Sequence, residues 1–108
     1  MDIIMVYCTV PNKKLATQIA KALVKNNVAA CVNISADVVS YFTWEGELCK
    51  AKEFLLTIKT RRELFKKVKL AIETLHDYTT PEIIAVPVAE CGKRYAKWIE
   101  SATEPSQK

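Results

Sequence analysis

The chain has 108 residues, of which half are hydrophobic and 26% are charged, and its formal net charge is +4 at pH 7. This length suits one domain with an adequate core, and the composition excludes an intrinsically disordered chain. No apolar run approaches the ~20 residues that a membrane-spanning helix needs, and no basic leader precedes the first apolar segment. We therefore expect a cytoplasmic protein without a membrane partner.

The first elements are a strand and a helix. Residues 3–8 form a nearly continuous apolar run, which is typical of a central strand. Asn12 is a plausible helix cap, and apolar residues then recur at three- and four-residue steps from 15 to 24, with polar residues opposite. This pattern predicts an amphipathic helix that leaves through a left-handed residue at Asn26 or Asn27.

A long hairpin follows this helix. Residues 28–43 alternate like a strand, although the alternation becomes unclear after Ala36 and Asp37, where we expect a bulge or bend. Gly46 can take the positive φ of a tight turn at 44–47, and a second long strand follows. At about 3.3 Å per residue the first of these strands would span about 50 Å, whereas a domain of this size has a radius of gyration of only ~13 Å.

The tip of this hairpin should therefore overhang the body of the domain. It would expose Tyr41, Phe42, Trp44 and Leu48 together with free strand edges, and such surfaces recruit partners. The sequence therefore predicts a homo-oligomer assembled through the hairpin, with Tyr41 and Trp44 as interface anchors. The alternative is that the tip folds back over its own sheet.

The second half of the chain contains another helix and another strand. Thr60 and Glu63 have the spacing of a capping box, and the apolar stripe between 64 and 75 predicts a second amphipathic helix. A strand at 82–88 and a short terminal helix that opens at Gly92 follow. Cations cluster near the second helix, where a solvated face and a nucleic-acid face are the alternatives: Arg61, Arg62, Lys66, Lys67 and Lys69.

The order β-α-β-β-α-β plus a C-terminal helix predicts an α+β, ferredoxin-like fold, in which two helices cover one face of a four-stranded antiparallel sheet. We expect a single domain over residues 1–103 and a flexible tail over 104–108. The same order serves RNA-binding modules, but only Tyr7 and Phe54 are suitable aromatic residues on the central strands, and an RNP1 pattern is missing. We therefore expect no nucleic-acid partner.

The reactive side chains do not form an enzyme motif. A single histidine and two glycines exclude a hydrolytic triad and a glycine-rich phosphate loop, so we expect no catalysis. The four cysteines are far apart and match neither a structural zinc site nor a disulfide framework. However, the first strand and the second helix should end at the same end of the sheet, where Cys8 and His76 together would suit copper or zinc. The alternative is that His76 caps its helix and Cys8 fills the core.

Five segments, spread over nearly the whole chain, carry a family resemblance. They are Ala29-Ala30-Cys31-Val32-Asn33, Ser40-Tyr41-x-x-Trp44-x-Gly46, Lys59-Thr60, His76-x-Tyr78-x-x-Pro81-Glu82-Ile83 and Tyr95-x-x-Trp98. In order and spacing they resemble the signature of the CutA divalent-cation-tolerance family. The resemblance implies a ferredoxin-like fold, a homotrimer formed through the long hairpins, and a role in tolerance of divalent metals such as copper. No cofactor is expected to be required for folding.

The resemblance also implies a metal site. Some family members bind copper through a cysteine at the end of the first strand and histidines just before the Tyr-x-x-Pro-Glu element, and Cys8 and His76 occupy those positions. Two residues depart from the family pattern: Leu75 stands where a second histidine can occur, and Asp77 replaces the more usual proline.

The polar residues of the signature form a second candidate site near the subunit junction, which consists of Glu53, Lys59, Tyr78 and Glu82. We expect Lys59 to pair with Glu53 or Glu82, and the cluster could bind a small anion or lock the trimer. The alternative to a metal-tolerance protein is a trimeric signalling or interaction module that binds a small ligand in the clefts between subunits. A purely structural, partner-binding trimer is a third possibility.

Overall fold

The structure is a computed structural model, and it describes residues 1–105. The elements follow in the order β1 (Ile3–Val10), α1 (Lys13–Lys25), β2 (Cys31–Trp44), β3 (Glu47–Arg61), a 3-10 turn (Arg62–Leu64), α2 (Phe65–Leu75), β4 (Ile84–Pro87) and α3 (Lys93–Ala102). Of the expected tail at 104–108, residues 106–108 lie outside the described part of the chain. Within that part, no helix is long and apolar enough to cross a membrane.

The four strands form one antiparallel sheet in the order β2-β3-β1-β4. Helices α1 and α2 cover one face, where the main core consists of sheet residues Val6, Cys8, Leu56 and Ile58 packed with helix residues Ile19, Leu23, Val68 and Ile72. The predicted ferredoxin-like α+β fold is confirmed. Pro87 is the last residue of the edge strand β4, where the absence of its amide proton interrupts no ladder.

The C-terminal helix α3 packs on the other face of the sheet. Its Ile99 contacts Ile3 and Ala30, and Ile3 points away from the main core because successive strand residues alternate between faces. Two side chains hold the end of α3: the Arg61 guanidinium donates to the Thr103 carbonyl at 2.9 Å, and the Asn27 amide donates to the Ala102 carbonyl at 3.1 Å. The second face of the sheet is therefore covered only in part.

Asn12 caps α1 as predicted, because its side-chain oxygen accepts the Leu15 backbone N–H at 2.8 Å. Replacing Asn12 by alanine should lower the free energy of unfolding by about 1 kcal/mol, since one amide donor of the first turn loses its partner. Urea unfolding would measure this loss. Asn12→Ser should retain most of the stability, because a serine hydroxyl caps nearly as well. Equal losses in the two variants would contradict the capping role.

The predicted capping box at the second helix is wrong. β3 continues to Arg61, which pairs with Ile3, so Thr60 is a strand residue and not a helix cap. The Thr60 hydroxyl is fully buried and donates to the Val28 carbonyl at 2.6 Å. A 3-10 turn intervenes, and α2 begins only at Phe65. A buried hydroxyl needs a hydrogen-bond partner, and the tertiary structure supplies the Val28 carbonyl. The Thr60 hydroxyl therefore bonds to this carbonyl instead of capping the helix, although its spacing from Glu63 suits a capping box.

The hairpin of β2 and β3 has the expected bulge and turn. The register shifts between Ser35 and Val38, with Asp37 at φ 62°, and the turn places Glu45 at φ 51° and Gly46 at φ 80°. Two successive left-handed residues make the type I′ turn that suits a twisted hairpin. The molecule extends over 47 × 31 × 22 Å with a radius of gyration of 14.6 Å, above the ~13 Å of a compact domain of this length.

The outer part of the hairpin is exposed and apolar. The exposed fractions of Tyr41, Trp44 and Leu48 are 66%, 54% and 78%. The tip therefore does not fold back over its own sheet, which was the alternative. It overhangs the domain, as the strand length predicts.

Candidate functional site at the root of the hairpin

The candidate residues meet where β1 ends. β1 stops at Val10, opposite Phe54, so Glu53 is the first residue of β3 beyond the end of β1. The segment that follows α2 comes to the same end of the sheet, because the Nε2 atom of His76 lies 2.8 Å from the Thr9 carbonyl oxygen. Residues distant in sequence are thus gathered at the root of the overhanging hairpin.

Cys8 and His76 both contact the carbonyl of Thr9. The Sγ atom of Cys8 lies 3.7 Å from this oxygen, and the imidazole of His76 makes the hydrogen bond of 2.8 Å. The structure therefore brings the two predicted metal ligands to one backbone group.

Both ring nitrogens of His76 are already engaged. The Thr9 carbonyl can only accept a hydrogen bond, so Nε2 carries the proton and donates it. Nδ1 accepts the backbone N–H of Tyr78 at 3.0 Å, and the two rings pack with their centroids 4.7 Å apart. Neither nitrogen of His76 offers a free lone pair in this arrangement, in which the imidazole ties the end of β1 to the segment after α2.

The thiol of Cys8 is fully buried in the main core. Burial, together with smaller contributions from the charges of Glu82 and Glu53, raises the pKa of this thiol to about 12. The thiol is therefore protonated at neutral pH, whereas the thiolate is the form that binds metals and attacks electrophiles. Cys8 thus behaves as a core residue, one of the two readings left open by the sequence.

Within one chain, Cys8 and His76 do not by themselves complete a metal site. Among residues 1–105, no group of three or more histidine, cysteine, aspartate or glutamate side chains is placed to hold one. Leu75, at the position where a second histidine can occur, packs instead against the main core. A metal at Cys8 and His76 would have to displace the thiol proton and one hydrogen bond of the imidazole.

Glu53 is the centre of a second constellation. Its side chain is buried, with an exposed fraction of 6%. Oε1 accepts the Ser40 hydroxyl at 2.5 Å, and Oε2 accepts the Tyr78 hydroxyl at 2.8 Å. Burial raises the pKa of Tyr78 to about 12, with smaller contributions from the hydrogen bond to Glu53 and from nearby negative charges. The phenol therefore remains a donor to Glu53 throughout the neutral range.

The expected pairing of Lys59 with Glu53 or Glu82 is not formed. The Lys59 ammonium donates to the side-chain oxygen of Asn33. Lys59 lies six positions from Glu53 on β3, which corresponds to about 20 Å along a strand, so these two side chains do not meet within one chain. In the described part of the chain, the ion pairs are instead Asp2–Arg62 and Lys69–Glu73.

Glu82 and the two hairpin aromatics occupy separate places. Glu82 is exposed and affects Cys8 only through its charge. Tyr41 and Trp44 lie further out on the hairpin, where the Tyr41 ring has the Lys50 ammonium 5.8 Å from its centroid. The structure therefore groups Glu53 with Tyr78, and Cys8 with His76, and leaves Lys59, Glu82, Tyr41 and Trp44 outside these contacts.

Ser40 contacts Glu53 but was not among the site residues predicted from the sequence. A signal was available, because the turn fixes the register of the hairpin. Counting residue pairs inward from the turn, starting with Trp44 opposite Glu47, places Val38 opposite Glu53. Ser40 then lies two residues from Val38 on the same face of the hairpin. The roles of the Thr9 carbonyl and of the Asn33 amide have no comparable signature in the sequence.

Comparison with known proteins gives one consistent family. The family model described as "CutA1 divalent ion tolerance protein" matches residues 4–102. The divalent-cation tolerance protein CutA of Thermus thermophilus is 43% identical over 99 residues, which cover 92% of this chain and 96% of the relative. That of Archaeoglobus fulgidus is 40% identical over 99 residues, with the same coverages.

Solved structures agree with the sequence comparison. The Thermus thermophilus protein superposes with a TM-score of 0.92 at 42% identity and covers 94% of this chain and 99% of its own. CutA1 of Oryza sativa superposes with a TM-score of 0.94 at 36% identity and covers 98% and 97%. An Arabidopsis thaliana relative, 37% identical over 100 residues, is named chloroplastic; the match covers 93% of this chain and 55% of that protein.

Proposed function

Because the chain belongs to the CutA1 family of divalent ion tolerance proteins, we propose that it acts as a homotrimer that binds divalent metal ions such as copper and catalyses no reaction. The compartment in this proposal is the cytoplasm, although family relatives are named for the chloroplast or the periplasm. The exposed, apolar outer part of the hairpin is the observation that carries the proposal.

The hairpin supplies the surface for assembly. Tyr41, Phe42, Trp44 and Leu48 are all at least 43% exposed, on a ribbon that no other element within residues 1–105 covers. Large apolar side chains clustered on an overhanging hairpin lose unfavourable contact with water when another copy covers them. Assembly through this ribbon therefore explains why apolar side chains lie where a monomer would expose them to solvent.

The two edges of the sheet favour a ring. β2 and β4 are the edge strands, and they differ in length and sequence. β4 also exposes Ile84 and Val86, which lie beside Tyr7 and Met5 on the face away from the main core. If the β2 edge of one copy meets the β4 edge of the next, the contact is head-to-tail, and such contacts close into rings. This arrangement supports a cyclic trimer over a two-fold dimer.

Sedimentation of the purified chain tests the assembly. The expected result is a particle with the mass of three 12.2 kDa chains that persists at low micromolar concentration. A folded monomer at that concentration would overturn the proposal.

The metal part of the proposal rests on Cys8 and His76, a soft and a borderline ligand that meet at the Thr9 carbonyl. We expect micromolar binding of copper and zinc, measured by titration under reducing conditions. Cys8→Ser and His76→Ala should each weaken binding by about tenfold or more, because each removes one of two protein ligands. The matched control is Cys91→Ser, since Cys91 is an exposed thiol. Binding that is absent, or that survives both substitutions, would contradict the site.

A second candidate function is a trimeric interaction module that binds a small ligand in the clefts between subunits. The buried Glu53 carboxylate, which carries two hydroxyl donors at the root of the hairpin, favours it. The two candidates differ in the outcome of the metal titration. An intact trimer that binds no metal would favour the second.

A further inference from the structure

The carboxylate of Glu53 is buried and has no cationic partner among residues 1–105. Its two oxygens are held by the hydroxyls of Ser40 and Tyr78, and the ion pairs among residues 1–105 lie elsewhere. Hydroxyl donors compensate a buried carboxylate only in part, and buried charges in proteins are normally paired. Further negative charges lie nearby, because Glu82 acts on Cys8 together with Glu53, and Asp77 acts on Tyr78 together with Glu53.

Glu53 lies next to the surface that the proposed assembly would cover. It pairs with Val38 across the hairpin, so Ser40, Phe42 and Trp44 follow on the same face of the ribbon. The site is therefore continuous with the exposed aromatic surface of the hairpin. A group that reaches Glu53 from outside the chain would approach along this face.

The same hairpin carries lysines that face the other way. Lys50 and Lys52 lie at alternate positions to Glu53 on β3, so strand geometry directs them to the opposite face. Both are exposed, and the Lys50 ammonium contacts only the Tyr41 ring among the described residues. Neither forms an ion pair with the Glu53 of its own chain, and both remain available to another copy.

We propose that Glu53 of one copy receives the ammonium of the partner's Lys50 or Lys52, so that the site at the root of the hairpin is completed only in the assembly. This inference rests on the proposed trimer and adds to it a specific inter-subunit contact. Tyr78 and Ser40 act as positioning residues that hold the carboxylate towards the incoming ammonium. A charge-assisted hydrogen bond then replaces the missing counterion.

The test begins with Glu53→Gln, which preserves the size of the side chain and an acceptor oxygen but removes the charge. We expect the dissociation constant and the dissociation rate constant of the trimer each to rise by about tenfold or more, with little change in salt dependence, because a buried charge pair is lost and salt screens such pairs only weakly. The matched control is Glu63→Gln, an exposed carboxylate in the turn before α2, which should change neither quantity.

A double-mutant cycle identifies the partner. Lys50→Gln and Lys52→Gln are surface changes that should fold normally, so they test the inference even if Glu53→Gln does not fold. One of these two lysine changes should reproduce the effect of Glu53→Gln. Combining that lysine change with Glu53→Gln should weaken the trimer no further, since both remove the same contact. Lys59→Gln, whose ammonium already has the Asn33 amide as its partner, should add independently.

The outcomes separate this inference from the proposed function. A wild-type trimer whose dissociation is unaffected by Glu53→Gln, or in which both lysine changes add independently to it, would overturn the Glu53 contact and leave the trimer standing. The additive result would point to a free cation as the counterion of Glu53. A wild-type monomer would overturn the proposed function itself.

Discussion

Replacing Trp44 by alanine is expected to raise the dissociation constant of the proposed trimer by about four orders of magnitude. The indole is 54% exposed on the overhanging hairpin of a single chain, where the proposed assembly would bury it. Truncation of a buried aromatic anchor costs about 2 kcal/mol or more at one interface, and a ring of three copies contains three such interfaces. A total of about 6 kcal/mol corresponds to roughly a ten-thousandfold change. Sedimentation over a dilution series measures it.

The control for Trp44→Ala is Leu70→Ala on the outer face of α2. Leu70 is also large, apolar and exposed, but it lies on a helix outside the hairpin. Its truncation should leave the trimer unchanged. If Trp44→Ala dissociates no more readily than Leu70→Ala, the hairpin does not hold the subunits together.

Zinc affinity is expected to rise about a hundredfold between pH 7 and pH 9. In the folded chain the Cys8 thiol has a pKa raised from 9.0 to about 12, first by burial and then by the charges of Glu82 and Glu53. Over this pH range the thiol is protonated, so a metal that binds its sulfur releases one proton. Each pH unit then increases the apparent affinity about tenfold. Competition with a chelator of known affinity measures the slope, and zinc avoids the redox chemistry of copper.

Cys8→Ser is the control for this slope, and its affinity should be weaker and nearly independent of pH. A wild-type affinity that does not change with pH would show that the ion avoids Cys8. The shift also has a consequence for folding. Because the folded-state pKa is raised, the protonated thiol contributes its full stability below pH 9 and loses it as the pH rises towards 12.

The sequence was sufficient for the fold because each element has a local cause. Asn12 caps α1, Gly46 makes the turn, and the strand periodicities place the main core. The alternation of β2 was unclear after Ala36 for a reason visible in the ladder. Two residues of β2 oppose one of β3 at the bulge, so the positions of β2 that face the core exchange parity there.

The candidate site was only partly predictable. Topology brought Cys8 and His76 to one end of the sheet, as expected. Their chemical state depends on hydrogen bonds that cannot be predicted from the spacing of residues in the sequence. The imidazole of His76 is hydrogen-bonded to the Thr9 carbonyl and to the backbone N–H of Tyr78. Within one chain Lys59 does not pair with Glu53, because the two residues lie about 20 Å apart along β3, a separation that the sequence motif alone does not reveal.

The anchoring of α3 has a practical consequence. Arg61 and Asn27 hold the last turn of this helix beside the start of β2, almost the whole length of that strand away from Trp44. A fluorophore or a fused domain attached after residue 105 would therefore stand clear of the aromatic ribbon. If the proposed trimer forms, each particle would carry three such attachments.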